Sequence, residues 1–179
     1  ILVELASGDR LEAPAVVLAA GAWVSLIVGL PRALPVVPVR GQLLALAGAH
    51  LRHVVMSSHG YVVSRGNRTL VGSTMESVGF DAQPTRDGAA LLRAYAREIS
   101  PELAAYPTSE HWAGLRPVTP DLLPIIGPDP ACAGLLYACG HSRNGVLLAP
   151  LTASAIAELV ACGSTSIDVG ACAPSRFGA

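Results

Sequence analysis

The chain has 179 residues, 51% of them hydrophobic and 14% charged, enough apolar material for a core and not the composition of a disordered segment. Its formal net charge is −1, and the basic residues are dispersed rather than clustered, which excludes nucleic acid and anionic membrane surfaces as expected partners.

The opening residues, ILVELASGDRLEAP, alternate apolar and polar positions instead of placing a basic region before an apolar block. No secretory signal is read there, and the chain is expected to begin inside a longer protein. Residues 1–5 and 11–19 read as two strands joined by the turn Ser7-Gly8-Asp9, the second, with its AVVLAA run, fully buried. Residues 13–31 carry no charge over nearly the length of a bilayer span, but Pro14, Gly21, Ser25 and Gly29 interrupt them. A strand, a Gly-Ala turn and a short helix fit that spacing better than a membrane helix does, so no membrane span is expected. Pro31, Pro35 and Pro38 then remove backbone donors, which places a crossing between domains near residue 36.

Strands dominate next. VRGQLLALAG, HVVMSSHG, YVVSRGN and RTLVGSTM are short β-branched runs broken by Gly and Asn, the pattern of an antiparallel meander with a hairpin turn at Gly66-Asn67. From Thr85 to Ile99 the period changes to helical: Thr85 can cap, Leu91, Leu92, Tyr95 and Ile99 recur on one side, and Pro101 stops the run. This helix is expected to cover one face of the sheet. After a Pro-rich passage, GLLYACG reads as a buried strand, HSRNG as a polar turn, and residues 146–161 as a helix ended by Gly163. The tail with Pro174 and Arg176-Phe177 shows no clear periodicity. Cysteines at 132, 139, 162 and 172 form no C-x-x-C pair, so no metal site is expected, and reduced thiols in a cytoplasm are the expectation.

Two segments can carry chemistry. In GHSRNGVLLAP, residues 140–150, a turn enters a helix and so presents free backbone N–H groups at the positive end of the helix dipole, a setting that attracts anionic ligand atoms. A tight connection whose Gly140 and Gly145 only satisfy steric needs explains it equally well. A nucleophile elbow at Gly140-His141-Ser142 is weaker, because Asn144 replaces the second glycine and all five histidines lie at or before 141, whereas the triad order needs one after the serine. In HWAGLRPVTPDLLPIIG, residues 111–127, Arg116 stands alone among apolar residues and prolines in a run expected to be largely buried. A buried guanidinium demands an anion. An internal salt bridge with Asp121 or Glu110 is the plainer reading, and a bidentate grip on a substrate carboxylate the sharper one.

Taken with VVLAAGAW at 16–23, PVRGQLLAL at 38–46 and GYVVSRGNRTLVGSTMESVGF at 60–80, these segments resemble, in the same order and over essentially the whole chain, the glycine oxidases of the D-amino-acid oxidase superfamily. That resemblance implies an α/β plus α+β protein: the C-terminal part of an FAD-binding Rossmann-like domain, residues 1–35 and 111–179, and an antiparallel-sheet substrate domain with a covering helix, residues 36–110. The superfamily's N-terminal dinucleotide-binding half, with its G-x-G-x-x-G turn, has no counterpart here and becomes an expected partner. Sarcosine oxidases and D-amino-acid dehydrogenases share the outline. The L-R-P-x-T-P-D stretch has none of the cysteine that links flavin covalently in monomeric sarcosine oxidase.

By the same resemblance, Arg116 pairs with the substrate carboxylate, Tyr61 hydrogen-bonds that group, Arg143 lies near it, and Met75 and His59 line the pocket. The turn Gly140, His141, Ser142, Arg143, Asn144, Gly145, Val146 and Leu147 holds the pyrimidine end of FAD, with Arg40, Gly41 and Gln42 near the ring and Gly21 at the strand end. Met75 as core and His59 as a turn cap are the plainer readings of those two. The implied reaction is oxidation of a small amino acid, glycine or sarcosine first, by hydride transfer to FAD, with O2 reduced to H2O2 and a place in thiamine biosynthesis. No catalytic acid or base is assigned. A homo-oligomer is compatible with the resemblance, and an inactive fragment acting as an interaction module is the alternative from another class. Ser64 stands where the family places proline before arginine, so that strand end is expected to be looser.

Overall fold

Two short strands open the chain, β1 (Leu2–Glu4) and β2 (Arg10–Glu12), paired antiparallel across the Ser7-Gly8-Asp9 turn. The run expected as one strand to residue 19 divides after Pro14, and β3 (Val16–Leu18) joins a different sheet. β3 is not fully buried as expected: Val17 is 38% exposed, because this strand pairs on one edge only. A 3-10 turn, Gly21–Leu26, follows, so the uncharged stretch is a strand and a short helical turn rather than a span. The computed structural model describes residues 1–178. Its contacts separate two compact units, Ile1–Pro38 with Arg116–Ala179, and Val39–Leu115.

The second unit is built on a five-stranded sheet of β4 (Val37–Ala47), β5 (Val55–Met56), β6 (Tyr61–Arg65), β7 (Arg68–Gly72) and β8 (Thr108–Val118), in the order β5-β6-β7-β4-β8. The expected meander holds from β5 to β7, with Gly66-Asn67 at the hairpin, but β4 returns to pair with β7 and β8 adds beyond it. β8 was not legible as a strand because Gly114 and Pro117 interrupt its alternation. Helix α1 (Arg86–Ile99) begins where Thr85 Oγ1 accepts the Gly88 N–H at 3.1 Å. Leu92 and Ala96 then pack on Leu44, Leu46, Val62 and Val71, so α1 covers one face of the sheet as expected.

In the first unit β9 (Ile125–Pro128) and β10 (Leu135–Cys139) complete a sheet ordered β3-β10-β9, with β10 parallel to β3 and antiparallel to β9. Leu135, Tyr137 and Cys139 enter one core with Val24, Leu34 and Val36, while Leu136 enters another with Ala155 and Ile156 of helix α2 (Gly145–Cys162). Two covered faces explain why this strand reads as a continuous apolar run. Among the described residues, α2 is the one helix long and apolar enough to cross a membrane. It instead lays Thr152, Ala155 and Ile156 inward, carries Pro150 in its interior, and leaves Val146, Leu147, Leu151 and Val160 half-exposed or more.

An ion pair lies inside this unit. Arg32 Nε donates to Asp129 Oδ2 at 2.7 Å, with side chains 3% and 0% exposed. The Tyr137 hydroxyl donates to the same oxygen at 2.8 Å, the Ala131 N–H to Oδ1 at 2.7 Å, and Arg32 Nη1 reaches the Gly178 carbonyl. The tail, patternless in sequence, is fastened by Arg176, which donates to Asp121 Oδ2 at 2.7 Å and to the Leu123 and Cys172 carbonyls at 2.8 Å.

Candidate functional site

The strand-turn-helix unit around Gly140 shapes the first part of the site. Gly140 is left-handed, with φ 72°, and a Cβ there would lie 2.7 Å from Thr119 Cγ2, so only glycine brings the chain round this tightly. The Ser142 N–H donates to the Pro117 carbonyl at 2.9 Å and the Asn144 N–H to the His141 carbonyl at 2.9 Å. The first bond of α2 runs from the Leu148 N–H to the Asn144 carbonyl at 2.8 Å. Hence the N–H groups of Gly145, Val146 and Leu147 have no protein acceptor among the described residues, and no acidic side chain sits in the first turn. This tip fits a ligand atom that is, or becomes, negative.

His141 turns away from the tip. Its ring Nε2 lies 3.0 Å from Thr152 Oγ1, and burial lowers its pKa below the ordinary value. The free donors at the tip are therefore the backbone N–H groups of the turn rather than the ring Nε2 of His141. A depressed histidine pKa means that the unfolded chain binds the proton more readily, so the contribution of the neutral ring is complete above pH ~6.5 and is lost as pH falls through the lowered value. We expect the thermal midpoint to fall between pH 7 and 5, and His141→Asn to flatten that part of the profile. Identical pH profiles for the two proteins would remove this assignment.

Arg116, half-buried in β8, immediately precedes the carbonyl that fastens the turn, so turn and arginine are held together within one unit. The two acids that the sequence offered as its internal partners are engaged by other arginines. Arg176 binds Asp121 and holds its pKa down to about 2, and Arg68 Nη1 lies 2.5 Å from Glu110 Oε2. Arg143 is exposed at the mouth of the turn, and no ion pair of its side chain is found among the described residues. Ser142 has φ 51°, the left-handed geometry an elbow nucleophile would need, yet none of the histidine rings hydrogen-bonds its hydroxyl. A nucleophile without a base is inert.

The second unit carries the remaining candidates. Tyr61 of β6 stands opposite Gly72 of β7, and a Cβ on Gly72 would come within 2.6 Å of the tyrosine hydroxyl and ring. Gly72, unmarked in the sequence reading, is what lets Tyr61 lie across the face opposite α1. His59 goes elsewhere: its Nδ1 is 3.0 Å from Glu98 Oε2 of α1, and its ring stacks on Tyr95 with centroids 5.9 Å apart. The structure therefore does not join His59 with Tyr61 as pocket lining. Met75 is 54% exposed, not core.

Arg40 and Gln42 also depart from expectation. Both side chains point to the α1 side, where Arg40 binds Glu76 at 2.7 Å and Asp81 at 2.8 Å, and Gln42 binds Glu76 and Thr85. Both side-chain N–H donors of Gln42 are thereby used, and four of the five guanidinium N–H groups of Arg40 are bound to Glu76, Asp81 and the Gln83 carbonyl. Arg40, Gly41 and Gln42 lie within strand β4 rather than in the turn expected there. Gly21 has no protein atom within 4 Å of a would-be Cβ, which leaves open space at the end of β3.

These features agree with what the chain is similar to. A glycine oxidase of Pseudomonas aeruginosa is 41% identical over 173 residues, covering 94% of this chain and 48% of that protein. A bifunctional ThiO/ThiG protein of Nostoc is 44% identical over 151 residues, 80% of this chain and 22% of its own length. The crystal structure of glycine oxidase from Geobacillus kaustophilus superposes with a TM-score of 0.89 at 34% identity, over 98% of this chain and 48% of that one. That of an L-proline dehydrogenase from P. horikoshii gives 0.88 at 26% identity, over 98% and 50%. The chain spans about half the length of the glycine oxidases it matches. Residues 2–159 match the family described as FAD dependent oxidoreductase (DAO), and with the Gly140 turn, the α2 tip and the sheet of β4 to β8 in place, the chain belongs to that family.

Proposed function

We propose that this chain forms the C-terminal half of a flavin-dependent oxidase of small amino acids, glycine or sarcosine first among them. The observation that carries the reading is the α2 tip: three N–H groups without a protein acceptor, on a turn anchored to the residue after Arg116. FAD bound here would supply the electron acceptor for hydride from the substrate's α-carbon, with O2 as the final oxidant and H2O2 as its product. The Gly145, Val146 and Leu147 N–H groups would hold its pyrimidine end and stabilise the negative charge that reduction places there. Arg116 takes the substrate carboxylate and so orients the α-carbon. No side chain is assigned as a base, because a neutral amine can release hydride without one.

The free edge of β3, the exposed Val146 and Leu147 of α2, and an apolar hollow of about 310 Å³ lined by Val17, Ala138, Ala149 and Ile156 support a further partner, a dinucleotide-binding segment packed on this unit. The similarity to ThiO/ThiG supports a role in thiamine biosynthesis, and the four free cysteines are compatible with a reducing cytoplasm. A dehydrogenase passing electrons to another acceptor is the second reading, favoured by the likeness to L-proline dehydrogenase. The test is direct: the holoenzyme should be yellow and release peroxide stoichiometrically with glycine consumed. Reduction of a dye without peroxide would select the dehydrogenase, and a colourless protein inert toward amines would end the proposal.

A further inference from the structure

We propose that Arg176 is a positioning residue for the flavin-binding turn, an inference that rests on the flavin reading above: it locks the loop between β8 and β9, on which the Gly140 turn is seated, and so sets where the free N–H groups of the α2 tip point. All of these parts lie in the first unit. A Cβ on Gly140 would lie 2.7 Å from Thr119 Cγ2 and 3.5 Å from Ile125 Cγ1, so both ends of the loop pack directly against the residue that brings the chain round. Pro117, two positions before Thr119, accepts the Ser142 N–H at 2.9 Å. Thr119 is 1% exposed, and a contact packed this closely has no slack, so a shift of the loop must move the turn.

The loop does not keep this shape by its own backbone preferences. Leu122 has φ 63°, a left-handed conformation in which a leucine is strained, and its side chain is 61% exposed, so packing does not hold it there. Hydrogen bonds do. The Leu122 N–H donates to the Thr119 carbonyl at 3.1 Å, the Leu123 N–H to Asp121 Oδ1 at 3.1 Å, and Thr119 Oγ1 to the Leu123 carbonyl at 2.7 Å. Arg176 closes this set from the far side: Nε donates to Asp121 Oδ2 at 2.7 Å, Nη2 to the Leu123 carbonyl at 2.8 Å, and Nη1 to the Cys172 and Ala173 carbonyls at 2.8 and 3.1 Å. One planar fork thus ties the loop to a segment 55 positions further on. Burial pushes the thiol of Cys139, the residue before Gly140, upward, and the Arg176 charge acts against that shift, so the guanidinium is felt at the turn itself.

The test uses the full-length protein, titrated with FAD and followed by flavin fluorescence. Arg176→Ala should raise the FAD dissociation constant on the order of tenfold, as the N–H groups at the tip lose their fixed direction. In the loaded enzyme the flavin midpoint potential should fall by about 30 mV, the equivalent for a two-electron couple of a tenfold preferential loss of the reduced, anionic form. Asp121→Asn, which removes the charge that Arg176 grips, should raise the dissociation constant about threefold alone and add less than about twofold in the Arg176→Ala background. Pro174→Ala is the control: Pro174 is buried on the same segment, 3.8 Å from a Cβ placed on Gly127 of β9, and its replacement should lower the thermal midpoint without moving either flavin readout. If Arg176→Ala lowers the midpoint but leaves the dissociation constant and the potential alone, or if Pro174→Ala moves them as far, Arg176 only fastens that segment and the inference is overturned. Should Arg176→Ala fail to fold, Asp121→Asn carries the same readouts, and their constancy would be equally decisive against it. An unmodified protein that takes up no FAD would instead remove the flavin reading itself.

Discussion

Replacing Asp129 by alanine should lower the stability of the protein by about 3–5 kcal/mol, the cost of leaving a buried charge without its partner. Arg32 and Asp129 have side chains 3% and 0% exposed, so water cannot take the place of the lost carboxylate. The Tyr137 hydroxyl and the Ala131 N–H would lose their acceptor in the same step. Burial by itself would push the Asp129 carboxyl up, but hydrogen bonds from Arg32, Tyr137 and Ala131 outweigh it and hold the pKa below the usual range. The contribution is therefore present above the ordinary carboxylate pKa and is lost as pH falls through the lowered value. Urea unfolding at pH 7 measures the effect. The double substitution Arg32→Met with Asp129→Leu should recover most of the loss, since an apolar pair leaves no orphaned charge. A loss below about 1 kcal/mol for Asp129→Ala would show that the pair is solvated in practice.

Arg116→Ala, in the complete flavoprotein, should raise KM for amino-acid substrates about 30-fold or more, corresponding to about 2 kcal/mol upward for a desolvated, charge-assisted pair. Flavin content should be unchanged, because the α2 tip offers backbone N–H groups that the substitution does not touch. Arg116→Lys should recover only part of the affinity, as an ammonium cannot form the two parallel bonds of a guanidinium to a carboxylate. Steady-state kinetics with glycine and with an amine lacking a carboxylate separate the outcomes. Equal loss for both substrates would mean that Arg116 acts on the turn, through Pro117 and Ser142, rather than on the carboxylate. No loss for either would take it out of the site.

Much of the site could be read from the residues. The Thr85 cap, the Gly66-Asn67 hairpin and the strand-turn-helix unit at Gly140 were all legible, because each depends on residues within a few positions of one another. Arg116 stood out because it is a lone charge in an apolar run. What escaped was long-range. β8 was hidden by Gly114 and Pro117, and the place of β4 between β7 and β8 depends on strand pairing that no local pattern encodes. Gly72 carried no signal, since its role is to leave room for a tyrosine eleven positions earlier.

The residues alone thus settled the elements whose signals lie close together, the Thr85-capped helix, the Gly66-Asn67 hairpin and the strand-turn-helix unit at Gly140, and, by the order of their motifs, the family to which they belong. Only the folded chain decided which acid each arginine takes: Asp129 for Arg32, Asp121 for Arg176, Glu110 for Arg68, and Glu76 with Asp81 for Arg40. Local structure follows from backbone geometry and side-chain period, which sequence displays directly. Ion pairing follows from distance and desolvation, and these exist only once partners separated by 36 to 97 positions have been brought within 3.2 Å of each other.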